Sequence, residues 1–258
     1  MTRKAIMIGS PGPKNSATYL KGVDTDLHHF VSFLKAPIGG SWEEVEIASL
    51  YKNPSENFIE LFQNTKTDFL LVYFSGHGYQ DLNETKIAIN DTESISISQL
   101  TSIIQAPKAL IIIDSCRKCI DKEYSNFSAP EYLSFKSLLD QPNTRDRYMQ
   151  IISESATGIA IAYACSVGEI SCETELGGSY TYSLLHTSLQ WYESQNNEGV
   201  LSIHDSNDLA DQHLKFRLHF QQNPQIRTLN AQTEKLTLPF ALKTDSLYQP
   251  VRNTALPS

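Results

Sequence analysis

The sequence predicts an α/β fold in which a mostly parallel sheet is covered by helices on both faces. Short apolar runs have the length of buried strands, at residues 4–8, 69–74, 109–113 and 159–164. Segments with a helical spacing of apolar residues lie between these runs. The chain has 258 residues, of which 40% are hydrophobic and 19% charged, so it can bury a core on both faces of such a sheet.

Periodicity and helix-breaking residues predict the other elements in order. Residues 24–34 carry apolar residues at helical spacing and predict the first helix, which precedes a strand at 44–50. Pro54 opens a second helix that runs through Phe62. The later elements are a pairing of 87–89 with 94–97, helices at 98–105, 180–192 and 205–220, and a terminal strand at 225–229.

One long interval has no regular pattern. Residues 117–150 are polar, with one short helix expected at 132–139, and we expect the most mobile loop of the chain there. A prior of about 150 residues per domain allows one large domain or two small ones. The pattern beyond residue 242 indicates weak packing, so residues 243–258 are expected to form a C-terminal tail.

The charge and the length of the apolar runs argue against several classes of function. The chain carries 21 Lys and Arg against 29 Asp and Glu, a formal charge of −8, which disfavours binding to nucleic acid or to anionic lipid. Residues 5–8 are too short for a signal-peptide core, and no apolar run approaches the ~20 residues of a membrane helix. We therefore expect a cytoplasmic protein whose four cysteines stay reduced.

Two of the apolar strands end in residues that suit covalent catalysis. The run at 69–74 is followed by His77 between two glycines, and the run at 109–113 is followed by Cys116. Ligand crevices of open α/β sheets lie at the carboxyl ends of the strands, so neighbouring strands would bring thiol and imidazole together. A histidine can take the proton of a thiol and make it a nucleophile. The amides of Gly78 and Cys116 are the natural donors of an oxyanion hole.

Simpler interpretations compete with this one. A histidine in a glycine-rich turn is more often a loop residue, and a cysteine after an apolar strand is more often a small buried hydrophobe. Cys116 and Cys119 also have the spacing of a redox pair, although a thioredoxin-like pair usually opens a helix directly after its strand. A zinc site is weaker still, because Cys165 and Cys172 do not form a second short-spaced pair.

Two segments resemble the catalytic motifs of caspase-like cysteine peptidases. Residues 69–79 (FLLVYFSGHGY) are similar to the histidine motif, and residues 111–118 (IIIDSCRK) are similar to the cysteine motif. The D-x-C-R-K form looks closer to paracaspases than to caspases, which carry Q-A-C-x-G. Metacaspases share D-S-C but usually continue with H-S-G. The resemblance is therefore nearest to prokaryotic members of the paracaspase and metacaspase type.

Further segments resemble motifs of the same family and occur in the family's order, at residues 20–26 (LKGVDTD), 162–169 (AYACSVGE) and 178–182 (GSYTY). The resemblance covers residues 4–240. It implies a caspase-like (caspase-hemoglobinase) fold, with a mostly parallel six-stranded sheet between helices. It also implies a single peptidase domain at residues 1–242, with an activation and linker loop region at 117–150, and a catalytic dyad of Cys116 and His77.

The resemblance also implies the substrate. Paracaspases and metacaspases hold an Arg or Lys side chain in an acidic S1 pocket, and Asp26, Asp114 and Glu169 fall on the matching positions. Asp24 competes with Asp26, because the register of that segment could slip. A cluster of carboxylates suits a guanidinium, which needs paired planar acceptors. Taken alone, these acids fit a helix start and a solvated loop equally well.

The implied activity is hydrolysis of peptide bonds after Arg, with Lys second, through a thioacyl-enzyme. No side chain stands out as a third member that orients His77. The alternative is a catalytically silent caspase-like scaffold that binds a partner. No cofactor is expected, and a weak regulatory calcium site, as in metacaspases, stays open.

Regulation and partners are implied in the same way. Self-cleavage is expected within 117–150, at the segment 143–147 (NTRDR). The strand at 225–229 resembles the dimer edge of the family, so a homodimer through this last strand is one expectation. Stand-alone members of this size are typical of prokaryotes, where a protein partner activates them and they cut another protein, sometimes in antiviral defence or cell death.

Overall fold

The computed structural model describes residues 1–52, 55–81, 84–117, 133–174, 177–194, 199–231 and 236–243. The expectations for Pro54, for Cys119 and for the tail at 244–258 lie outside these residues. So does most of the first half of the interval at 117–150.

The centre of the described structure is a six-stranded sheet with the order β12-β8-β7-β3-β1-β2. It is parallel except for β12, which runs antiparallel to β8 at one edge. This confirms the predicted fold class. The strands of the chain are β1 (Arg3–Ser10), β2 (Ile47–Tyr51), β3 (Phe69–Gly76), β4 (Gly78–Asp81), β5 (Glu84–Ala88), β6 (Ser94–Ser96), β7 (Lys108–Asp114), β8 (Gly158–Tyr163), β9 (Glu173–Thr174), β10 (Gly177–Gly178), β11 (Gly199–Ser202), β12 (Gln225–Leu229) and β13 (Pro239–Lys243).

Helices cover both faces of this sheet, because alternate residues of each central strand point to opposite apolar layers. In β1, Ala5 and Met7 join one layer, while Ile6 and Ile8 join the other. Residues of α1, α4, α5 and α6 pack in the first layer, and residues of α2 and α3 pack in the second. The helices are α1 (Val23–Lys35), α2 (Ser55–Asn64), α3 (Ile97–Ile103), α4 (Arg145–Glu154), α5 (Ser179–Glu193) and α6 (Ile203–Phe216).

Smaller sheets extend this core. Strands β4, β5 and β6 form a three-stranded antiparallel sheet that begins directly after the histidine motif. Strand β9 pairs with β10, and β11 pairs with β13. Among the described residues, no helix combines the length and the apolar character that crossing a bilayer requires.

The interval at 117–150 differs from the expected irregular loop. Its last part begins the helix α4, and a short 3-10 helix occupies Lys136–Leu138. Tyr148 of α4 is buried, and Arg145 pairs through both terminal nitrogens with Glu46 at 2.7 Å. The expectation that 143–147 is an exposed loop is therefore wrong, because buried contacts hold this segment. A segment fixed in this way is a poor site for proteolysis.

Candidate active site

His77 lies just beyond the carboxyl end of β3, and the chain reaches it through a residue that only glycine suits. Gly76 has φ +153°, and a Cβ there would come within 2.4 Å of the carbonyl oxygen of Ser10. The Nε2–H of His77 donates to the carbonyl oxygen of Thr18 at 2.8 Å. This hydrogen bond places the proton on Nε2 and leaves Nδ1 as the basic nitrogen. The backbone of Thr18 thus supplies the orienting group that no side chain in the sequence suggested.

Cys116 occupies the matching place on the next strand. β3 and β7 are parallel neighbours with Ser75 opposite Asp114, and His77 and Cys116 each lie two residues further on. A Cβ on Gly78 would come within 2.4 Å of Ser115 Oγ and 3.0 Å of the carbonyl oxygen of Cys116. The fold therefore places His77, Gly78 and Cys116 at the same edge of the sheet.

Burial keeps both reactive groups of this edge neutral. It raises the pKa of the Cys116 thiol to about 11, although a hydrogen bond with the backbone of Ser171 opposes the shift. Sγ also donates to the carbonyl oxygen of Ser171 at 3.6 Å. Burial lowers the pKa of His77, although the carbonyl of Thr18 opposes that shift. A thiol beside a neutral imidazole is therefore the resting form, and His77 is free of a proton on Nδ1 to act as a base.

Asp26 and Asp114 converge on Gly178, beside the same sheet edge. Asp26 Oδ1 accepts from the amide of Gly178 at 2.9 Å, and its Oδ2 accepts from Ser75 Oγ at 2.6 Å. A Cβ on Gly178 would come within 2.3 Å of Asp114 Oδ2. The two side chains come from α1 and β7, and they are only 2% and 5% exposed as residues. Two of the three predicted S1 acids thus form one buried pair.

Hydrogen bonds hold the second acid of this pair as firmly as the first. Asp114 Oδ2 accepts from the amide and the hydroxyl of Thr181 at 2.9 and 2.7 Å, and its Oδ1 accepts from Ser171 Oγ at 2.6 Å. Thr181 lies in the first turn of α5, where the helix dipole favours negative charge. Burial nevertheless raises the pKa of both carboxyls, and the charge of Asp114 raises that of Asp26 further.

The third predicted acid, Glu169, forms its hydrogen bonds with a different part of the chain. Its carboxylate accepts from the amides of Ser166 and Asn223 and from Asn223 Nδ2 at 2.6 to 3.0 Å, so it orders the loop after β8. Among the described acids, Glu173 interacts with the pair instead, because its charge raises the pKa of Asp26, and the charge of Asp114 raises the pKa of Glu173. Its carboxylate accepts the amide N–H of Gly22. The competing residue Asp24 is exposed and contacts Tyr51.

Gln222 braces the loop that carries Ser171. Its side-chain amide is fully buried and uses its whole hydrogen-bonding capacity. Nε2 donates to the carbonyl of Ala164 at 2.8 Å and to Ser171 Oγ at 3.3 Å. Oε1 accepts from the amide of Cys172 at 3.1 Å and from Ser179 Oγ at 2.8 Å. The sequence does not indicate this role of Gln222, because a glutamine between a helix and a strand belongs to no distinctive pattern.

Arg117, directly after the candidate nucleophile, is part of the framework. Its guanidinium donates to Thr85 Oγ1, to the carbonyl of Cys165 and to Gln225 Oε1, each at 3.1 Å. It also lies over the ring of Tyr163 at 4.1 Å. Among the described residues, no group of three or more His, Cys, Asp and Glu side chains is arranged to hold a metal ion.

Comparison with known proteins agrees with this architecture. The chain is similar to caspase-1 from Spodoptera frugiperda, with a TM-score of 0.58 and 16% identity over 96% of this chain and 92% of that chain. It is also similar to a protein from Geobacter sulfurreducens, with a TM-score of 0.59 and 13% identity over 94% of this chain and 100% of the other. No curated protein matches the sequence.

A sequence model of one protein family, described as the caspase domain, matches residues 2–235. This match contains both strand ends and the buried acid pair. Since it covers most of the chain, and since the sheet order and the two structural likenesses agree with it, the chain belongs to the caspase domain family, a family of cysteine peptidases.

Proposed function

We propose that this chain is a cysteine endopeptidase that cleaves proteins after Arg, with Lys second, with Cys116 as nucleophile and His77 as base. The observation that carries the proposal is the buried pair of Asp26 and Asp114 beside the strand ends of His77 and Cys116. Neither carboxyl forms an ion pair with a described residue. A cation from outside would supply the missing counter-charge.

The reaction follows from the neutral resting form. Nδ1 of His77 takes the thiol proton as Sγ of Cys116 attacks the carbonyl carbon of the substrate. The oxygen of the tetrahedral intermediate accepts hydrogen bonds from the amides of Gly78 and Cys116. The imidazolium then gives its proton to the leaving amine. A water, deprotonated by the same imidazole, hydrolyses the thioacyl-enzyme and releases the acid product.

Specificity for a basic side chain comes from the geometry of the acids. A guanidinium offers five N–H donors in one plane, and the carboxylates of Asp26 and Asp114 approach Gly178 from two sides. Glu173 adds a third negative charge near the pair, so in this proposal it takes the place that the resemblance implied for Glu169. A primary ammonium group makes fewer simultaneous bonds, which is why Lys ranks second.

A matched panel of fluorogenic peptides tests the proposal. Peptides that differ only at P1, as Arg, Lys, Asp or Ala, should be hydrolysed in the order Arg, Lys, and then the other two below detection. Cys116→Ala should lower kcat/KM for the Arg peptide by on the order of 10⁴-fold or more. Faster cleavage after Asp would overturn the pocket. Full activity of Cys116→Ala would overturn the nucleophile.

The same panel separates the alternatives. A silent scaffold would show no turnover of any peptide, and no labelling of Cys116 by an arginyl chloromethylketone. A redox protein that uses Cys116 with Cys119 would lose its activity in Cys119→Ser. The proposed peptidase loses nothing, because Cys119 takes no part in acyl transfer. Location in the cytoplasm, activation by a protein partner or by weakly bound calcium, and a role in defence or cell death belong to this proposal by resemblance.

A further inference from the structure

Among the described residues, two further thiols lie near the candidate nucleophile Cys116, and one of them is reachable. Cys116 and Cys172 are half-buried, whereas Cys165 is fully buried. The thiol of Cys165 lies 3.5 Å from the carbonyl oxygens of Ser115 and Glu169. An oxidant that enters the site therefore meets Cys116 and Cys172 first.

The fold holds Cys172 next to Cys116. Sγ of Cys116 lies 3.6 Å from the carbonyl oxygen of Ser171, the residue that precedes Cys172 in the chain. The electrostatic influence of Cys172 is also among the causes that raise the pKa of Cys116. The backbone of Cys172 is fixed on both sides, since its amide donates to Gln222 and its carbonyl accepts from the amide of Ser179 at 2.8 Å.

We infer that Cys116 and Cys172 form a reversible disulfide when the protein meets a peroxide, with Cys172 as the resolving thiol. A disulfide needs Cα atoms about 4.4–6.8 Å apart and Cβ atoms that face one another. Since Sγ of Cys116 lies 3.6 Å from the carbonyl oxygen that precedes Cys172, this geometry brings the backbone of Cys172 within reach of such a bond. The bond would occupy Sγ of Cys116, so it would block the nucleophile of the proposed peptidase; that consequence rests on the proposed function.

The chemistry balances with one peroxide for each disulfide. The sulfur of Cys116 attacks one peroxide oxygen, the O–O bond breaks, water leaves and a sulfenic acid remains on Cys116. The sulfur of Cys172 attacks this sulfenic sulfur, the S–S bond forms, the S–O bond breaks and a second water carries off the thiol proton. Two thiols lose two electrons in total, and hydrogen peroxide gains them.

Mass spectrometry of the whole chain tests the inference without reference to activity. The protein is treated with hydrogen peroxide, blocked with iodoacetamide and digested with trypsin and a glutamate-specific protease. Trypsin separates Cys116 from Cys119, and cleavage after Glu169 separates Cys165 from Cys172. We expect a linked pair of peptides that contains Cys116 and Cys172 and that dithiothreitol separates. A link from Cys116 to Cys119 or to Cys165, or no link at all, would overturn the inference.

Two variants complete the test. Cys165→Ser should still form the link, whereas Cys172→Ser should instead carry Cys116 on to the sulfinic acid, which dithiothreitol does not reverse. If the Arg peptide is hydrolysed, peroxide should abolish turnover in the wild type and in both variants, and dithiothreitol should restore it in the wild type and in Cys165→Ser but not in Cys172→Ser. A link without any peptidase activity would support the disulfide and refute the proposed function. Peptidase activity without a disulfide link would support the proposed function and refute the disulfide.

Discussion

At the scale of single residues, the buried carboxyls of Asp26 and Asp114 meet two opposed effects. Five hydrogen bonds and the first turn of α5 favour their negative charge, while burial and mutual repulsion disfavour it. The raised pKa values mean that burial and mutual repulsion outweigh the hydrogen bonds and the helix dipole. A bound guanidinium would reverse that balance, because it restores an opposite charge at short range.

The third acid of the pocket can be identified with a matched pair of variants. Glu173→Gln removes a charge that interacts with Asp26 and Asp114, whereas Glu169→Gln removes a charge that faces Ser166 and Asn223. We expect Glu173→Gln to lower kcat/KM for the Arg peptide by about 100-fold, which corresponds to about 3 kcal/mol. Glu169→Gln should change it much less. The reverse ranking would restore Glu169 as the pocket acid.

The two pKa directions predict how binding and chemistry change as the pH falls. Asp26 and Asp114 take up protons above the ordinary carboxyl value of about 4, so the inhibition constant of a small guanidinium ligand such as agmatine should begin to rise above that pH. His77 keeps its neutral form below the ordinary imidazole value of about 6.5, so kcat should stay level to lower pH. A kcat that already falls above pH ~7, with a constant inhibition constant, would contradict both directions.

At the scale of elements, the segment that leads into β12 forms one wall of the site. Gln222 braces the loop at Ser171 and Cys172, Asn223 holds the carboxylate of Glu169, and Gln225 accepts from Arg117. Three side-chain amides therefore fix the loop after β8 and the residue after Cys116. A side-chain amide can donate and accept hydrogen bonds at once. One short segment can therefore satisfy both the N–H and the C=O groups of the backbone.

Removal of the central amide should loosen this wall. Gln222→Ala leaves several buried polar groups without partners, and we expect the free energy of unfolding to fall by about 3 kcal/mol. Gln221→Ala, an exposed neighbour, is the control and should change it by less than about 0.5 kcal/mol. Urea denaturation measures both. If both variants lower the free energy of unfolding by the same small amount, water replaces the hydrogen bonds of the Gln222 side-chain amide.

The elements with strong apolar periodicity were predictable, and the polar ones were not. The runs at β1, β3, β7 and β8 were recognised because buried parallel strands are apolar on both faces. The sequence does not indicate the helix α4, because its exposed face is charged and only Tyr148 and Ile152 are buried in it. The sequence does not indicate the strand β4 either, because its four residues show neither alternation of polar and apolar residues nor a hydrophobic run.

The site shows the same division. The strand ends predict where His77 and Cys116 lie, whereas Asp26 and Asp114 are expected from the resemblance to the family's motifs. The carbonyl of Thr18 has no signal in any sequence, since every residue carries one. Glu173 lies in the two-residue strand β9, and its position was not predictable because the acid that reaches the pair depends on the path of the backbone.

At the scale of the whole molecule, the outer edge of β12 offers backbone groups to a second copy. A two-fold axis through the middle of this strand would place Arg227, an exposed residue, opposite its own symmetry mate. Like charges directly opposite one another weaken such a pairing. We therefore expect dimers of twice 29.0 kDa to be favoured by added salt and by Arg227→Thr in light-scattering measurements. Dimers that salt weakens would contradict pairing at this register.

The reversed direction of β12 has a consequence for the protein during its synthesis. Because this strand runs against its neighbours, the chain enters it at the edge where the parallel strands end, and Gln222 reaches the site from there. Gln222 leaves the ribosome roughly a hundred residues after Cys116, which at ~5–20 residues per second is a delay of about 5–20 s. During that interval the nascent chain holds its thiol and imidazole without the brace that orders the loop at Ser171. The segment that leads into β12, the last strand of the central sheet to be made, thus completes the wall of the site.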